Sequence, residues 1–99
     1  MDVTLLYFDG CTTWQVADQR LQEALARAGR DDVRVQRRLV STPEQAEAAR
    51  FRGSPTVLVD GRDPFANPAA PVGLSCRVYR TADGLAGSPT VDQLLAVLQ

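Results

Sequence analysis

The chain contains no histidine and no lysine. Without histidine there is no imidazole general base, no Cys–His or Ser–His nucleophile pair, and no histidine ligand for zinc. All eleven basic residues are arginines, which together with abundant alanine fits a GC-rich bacterial genome. No apolar run approaches the ~20 residues needed to span a bilayer. The chain begins directly in a strand-like segment, with no charged stretch leading into an apolar leader. The expectation is therefore a cytoplasmic protein that uses no membrane. A net charge of -1 supplies no overall attraction to nucleic acid or acidic surfaces. No phosphate loop, paired-carboxylate site or basic stripe stands out, so neither a cofactor nor a resident metal is expected. Cysteine is scarce, limited to Cys11 and Cys76. In the cytoplasm a permanent structural disulfide is uncommon, so both are read as thiols free to react.

What remains describes an ordinary globular domain, with 44% hydrophobic and 23% charged residues. Its 99 residues make one domain, 1–99, able to bury roughly 60% of its unfolded surface in one modest core. Val3 to Phe8 is apolar on both faces, as a strand covered by helices on both sides would be. Trp14, Ala17, Leu21, Leu25 and Ala28 recur at helical spacing, with Thr12 or Thr13 as cap and Gly29 beyond the end. Val33, Val35 and Leu39 among Arg34, Arg37 and Arg38 read as a half-exposed edge strand. Thr42-Pro43-Glu44-Gln45 opens a second helix, which Gly53 ends. Thr56 to Asp60 is a short strand followed by an Asp60-Gly61 turn.

Residues 62–75 carry Pro64, Pro68, Pro71 and Gly73 and read as an irregular insertion, long enough to suggest a functional loop. Cys76 to Arg80 reads as a strand, Ala82-Asp83-Gly84 as a turn, and Thr90-Val91-Asp92-Gln93 as the cap of a last helix. The order is β-α-β-α-β-β-α. Alternating strands and helices predict parallel pairing, closed by a hairpin into a mixed four-stranded sheet flanked by helices.

Two segments carry the chemistry. In Phe8-Asp9-Gly10-Cys11-Thr12-Thr13-Trp14 a cysteine stands where a strand gives way to a helix. A free thiol has a pKa of about 8.5, and the N–H groups at a helix N-terminus can lower it into the range of roughly 3.5–7.5. The hydroxyls of Thr12 and Thr13 can add hydrogen bonds to such a thiolate. Farther on, Gly53-Ser54-Pro55-Thr56 opens the third strand.

Together these segments resemble the thioredoxin superfamily. The chain is also similar to small bacterial thioredoxin-like proteins, some labelled alkylmercury lyase-like. Those share an Asp-Gly-Arg-Asp-Pro-Phe stretch and a later Gly-Leu-Ser-Cys-Arg, here residues 60–65 and 73–77. The resemblance implies a thioredoxin-like fold, a cis bond before Pro55, and a groove lined by Ser54 and Pro55 that pairs with substrate backbone. It implies Cys11 as the nucleophile toward a protein or low-molecular-weight thiol or disulfide. Separately, the chain is expected to be a monomer. The family's second cysteine is replaced by Trp14, which excludes turnover through residues 11 and 14 and leaves Trp14 to pack, shield the thiolate or touch a peptide.

Cys76 can resolve in its place only if it comes close. A hairpin paired directly onto the third strand would begin some 15 Å from Cys11, at ~3.3 Å per residue. An insertion that first crosses back would deliver Cys76 beside it. Both routes are compatible with the sequence. Asp9 reads as a solvated turn residue, while Arg52, or the Arg34, Arg37 and Arg38 set, can attract an anionic thiol such as glutathione or mycothiol. Three functions follow: thiol–disulfide exchange, a binding module that has lost its dithiol, and soft-metal handling by two thiolates.

Overall fold

The structure, a computed structural model, describes residues 1–30 and 32–99. It places β1 at Val3–Tyr7, α1 at Trp14–Arg27, β2 at Val35–Leu39, α2 at Pro43–Ala49, β3 at Thr56–Val59, β4 at Tyr79–Thr81, β5 at Gly84–Ala86 and α3 at Val91–Leu98. No helix is long and apolar enough to cross a membrane among the described residues.

The strand period of two sorts β1 between two cores. Val3 and Leu5 meet Ala17, Leu21, Leu25, Val57, Leu94 and Leu98, so α1 and α3 cover one face of the sheet. Leu6 points to the other face, onto Val40, Ala46 and Phe51. That second core is closed by α2 and by Val72 and Leu74 from the irregular segment. Phe51 is fully buried, a burial that stabilises by roughly 1.5–3 kcal/mol.

Two helix starts follow the sequence signals. Thr42 Oγ1 accepts from the Gln45 N–H at 3.1 Å, and Pro43 takes the first helical position. Thr90 and Gln93 form a complete capping box on α3. The end of α2 differs from expectation. Arg50, not Gly53, closes it in the left-handed conformation, and its N–H turns back to Glu47 O at 3.2 Å.

The sheet corrects the expected topology in two ways. Its order is β2-β1-β3, with β1 and β2 parallel but β3 antiparallel to β1. Helix α2 has only 7 residues, about 10 Å of length. It carries the chain from the end of β2 across to the other edge of β1 without returning it along the sheet. Moreover, β4 and β5 form their own two-stranded sheet, so the main sheet has three strands rather than four. The chain touches β3's leading end through a single parallel bridge, Ser54 to Cys76. Arg77 then turns its side chain inward to Thr56, Asp63 and the Phe65 carbonyl. At the other end of β3, Arg62 bridges Val59.

Candidate functional site: a buried and an exposed cysteine

Cys11 sits in the tight turn leaving β1, its N–H donating to Phe8 O at 3.0 Å. It is 3% exposed. The residue before α1, Thr13, has helical backbone angles (φ -68, ψ -12), so its side chain does not cap the helix. Its hydroxyl instead lies 3.2 Å from Cys11 Sγ. Of the two threonines expected to serve the sulfur, Thr13 reaches it. Thr12 is exposed and uses its carbonyl to accept from the Gln15 N–H at 3.4 Å.

Ser54 is the hub that joins the site's parts. Fully buried, it accepts from the Phe8 N–H through Oγ at 3.0 Å. Its own N–H donates to Ser75 O at 2.7 Å, and its carbonyl accepts from the Arg77 N–H at 2.8 Å. The same carbonyl lies 3.7 Å from Cys11 Sγ. The Ser54–Pro55 bond is cis, as the resemblance implies, and Pro55 O accepts from the Tyr79 hydroxyl. The backbone groups of Ser54 that the resemblance reserves for substrate are thus taken by the chain's own 75–77 segment.

That segment delivers Cys76. Cys11 and Cys76 form a disulfide, 65 residues apart in sequence and 5.5 Å apart at Cα, inside the limit of about 7 Å that such a bond requires. Of the two routes open to the sequence, the insertion takes the one that crosses back. It is tied down on the way: Arg52 Nη1 donates to Pro68 O at 3.2 Å and also to Ala70 O. The Gly73 N–H donates to Phe51 O at 2.9 Å. The two cysteines differ sharply in surroundings, for Cys76 is exposed where Cys11 is buried.

Arg77 anchors the exposed cysteine. Its guanidinium donates to Asp63 Oδ2 at 2.6 Å and Thr56 Oγ1 at 3.2 Å, and also to the Phe65 carbonyl. It lies 4.6 Å from the centre of the Tyr79 ring. Burial pushes the Tyr79 phenol well above the usual tyrosine pKa, against a smaller opposing pull from Arg77. Nothing in the sequence by itself assigns Asp63, Arg77 or Tyr79 to the site. A signal was there: the stretches 60–65 and 73–77 include opposite charges, at Asp63 and Arg77, and here they meet.

Trp14 is half-buried and stacks on Tyr7 with ring centroids 4.4 Å apart, while packing on the α1–α3 core. Arg37 is engaged elsewhere, gripping Asp18 of α1 with Nε and Nη2 at 3.0 and 2.8 Å. Asp9 is exposed. Cys76 borders a cleft of about 730 Å³, with Arg52, Arg77, Arg80, Phe65, Val78 and Leu85 in its walls. Comparison of the chain with family models, curated proteins and solved structures finds no match.

Proposed function

We propose that the chain is a thioredoxin-like thiol–disulfide exchange protein whose redox pair is Cys11 and Cys76. One observation carries the reading: a disulfide joins a sulfur at the start of a helix to an exposed residue at the edge of a cleft. The pair cycles between disulfide and dithiol. Each cycle moves two electrons and two protons between the protein and thiols of its partner. The Thr13 hydroxyl, 3.2 Å from Cys11 Sγ, and the nearby N-terminal end of α1 favour a thiolate at Cys11, and a thiolate is the species that attacks or departs in exchange.

A titration against dithiothreitol, with alkylation and mass measurement at each step, tests this. A reversible couple in the range of about -180 to -270 mV, where exchange proteins operate, supports it. A bond that stays closed until below about -300 mV marks a structural staple, and the redox reading then falls. The staple alternative has its own physical basis. Closing a 65-residue separation stabilises a fold by about 4 kcal/mol in the chain-entropy account.

A second reading draws on the same proximity. Once reduced, the two sulfurs present a linear pair to Hg(II) or Cu(I), because soft ligands select soft metals. Stoichiometric binding that disappears in both Cys11→Ser and Cys76→Ser is the expected result. Binding retained by either variant removes the reading.

A further inference from the structure

We propose that exchange takes place at Cys76 Sγ, not at Cys11 Sγ, and that the adjoining cleft receives a small carboxylate-bearing thiol. This rests on the redox reading above and reverses the roles that the resemblance implies for the two cysteines.

Access decides the first half. A thiolate attacks a disulfide along the S–S axis, from the side opposite the sulfur that leaves, so which sulfur reacts depends on which can be approached. An attack on Cys11 would have to arrive from behind a residue 3% exposed, through the packing of Thr13 and the fully buried Ser54. Cys76 is exposed and lines the cleft, which leaves its side open to an incoming thiolate. The leaving group agrees with this direction. Cys11 departs as a thiolate beside the Thr13 hydroxyl, 3.2 Å away, at the positive end of α1. After it takes up a proton, its S–H faces Ser54 O at 3.7 Å, a contact that a disulfide sulfur cannot use as a donor.

R–S⁻ attacks Cys76 Sγ; the R–S–S–Cys76 bond forms and the Cys11–Cys76 bond breaks, its electron pair leaving on Cys11. A second thiolate of the same class attacks the R sulfur, giving R–S–S–R and the Cys76 thiolate. The two protons lost by the incoming thiols end on the cysteines. The protein is reduced and the thiol oxidised.

Charge and size decide the second half. About 730 Å³ lies within the range of roughly 300–1,000 Å³ usual for small-molecule sites. No carboxylate side chain is in the cleft wall among the described residues, whereas three guanidiniums are. Asp63 neutralises Arg77. Among the described residues Arg52 donates to two carbonyls and meets no carboxylate in the cleft wall, and Arg80 is exposed. A guanidinium offers a carboxylate two parallel N–H donors. Val78 and Leu85, 63% and 73% exposed, offer apolar surface to the thiol's methylene stem.

The oxidised full chain is mixed with 3-mercaptopropionate, 2-mercaptoethanol or cysteamine, quenched with acid and mapped by mass spectrometry, with rates expressed per thiolate. We expect the transient adduct on Cys76. The acid should outrun the amine by about tenfold, roughly what two screened surface charges supply, with the gap narrowing in salt. Arg80→Gln, an exposed substitution, should shrink the gap while the fold stays intact by circular dichroism. An adduct on Cys11, or equal rates for all three thiols, overturns the proposal while leaving the redox reading standing. An acidic cysteine hexapeptide that reacts faster than 3-mercaptopropionate overturns the commitment to a small thiol. A slower one supports it. A bond inert to every thiol defeats the redox reading itself.

Discussion

The carboxylate of Asp63 and the guanidinium of Arg77 close the irregular segment on itself, 2.6 Å apart and with side chains only 17% and 8% exposed. Asp63→Ala leaves a nearly buried cation without its counter-charge, a loss of about 3 kcal/mol. Urea unfolding should show a lower midpoint at unchanged slope. Because much of that loss is the orphaned charge, adding Arg77→Met to the same chain should recover most of it. A double variant as unstable as Asp63→Ala alone would show that the pair itself, not its burial, supplies the stability.

Gly53 stands behind this pair. Its φ is +120, and a Cβ there would meet the Arg77 backbone and Cβ at 3.0–3.1 Å. Gly53→Ala therefore combines a left-handed backbone with a clash against atoms that cannot swing away. We expect a loss of about 2 kcal/mol and an impaired oxidative yield of the Cys11–Cys76 bond, read by counting free thiols after refolding in air. A fully oxidised, fully stable Gly53→Ala would contradict the close approach.

Tyr79 gives the fold an alkaline limit. Its phenol is held above the unfolded value of about 10 by burial, so the native state keeps a proton that the unfolded chain gives up. Between those two pKa values the native state binds more protons, and stability falls as pH rises. It is fully present below pH ~10. Tyr79→Phe loses the hydrogen bond to Pro55 O, about 1 kcal/mol at neutral pH. Its melting temperature should nevertheless decline less than that of the parent between pH 10 and 12. Parallel declines in the two proteins would locate the alkaline sensitivity elsewhere.

Thr13 offers a test at the sulfur. Its methyl approaches Gly87 and its hydroxyl approaches Cys11 Sγ, so Thr13→Val keeps the shape and removes the donor. Loss of one hydrogen bond to an anion, on the order of 1.4 kcal/mol, corresponds to about tenfold slower disulfide reduction by dithiothreitol. Thr13→Ser should retain the parent rate. If Val and Ser variants react alike, the hydroxyl does not serve the departing thiolate.

How much of this could be read from the chain varies with how local each signal is. The alternation in Val3 to Tyr7, the stripe from Trp14 through Leu25, and the caps at Thr42 and Thr90 act within one or two turns, and each element appears where those residues place it. The direction of β3 depends on where a short α2 delivers the chain, which no residue of β3 records. The separate β4–β5 sheet depends on Arg77 turning inward to Asp63, a partner fourteen residues away across a proline-rich segment. Cys11 is visible as a candidate because it stands where a strand gives way to a helix, and Ser54 only through the resemblance. That Cys76 meets Cys11, and stands exposed while Cys11 is buried, follows from the path of residues 62–75. Only the three-dimensional course of that segment decides it.

The same path has a practical consequence for anyone handling the protein. Residues 66–69 are exposed, a natural target for proteolytic nicking. One cut there separates a piece bearing Cys11 from a piece bearing Cys76, yet the disulfide keeps them covalently joined. A clipped preparation would run as an intact chain on a non-reducing gel and split in two only when reductant is added.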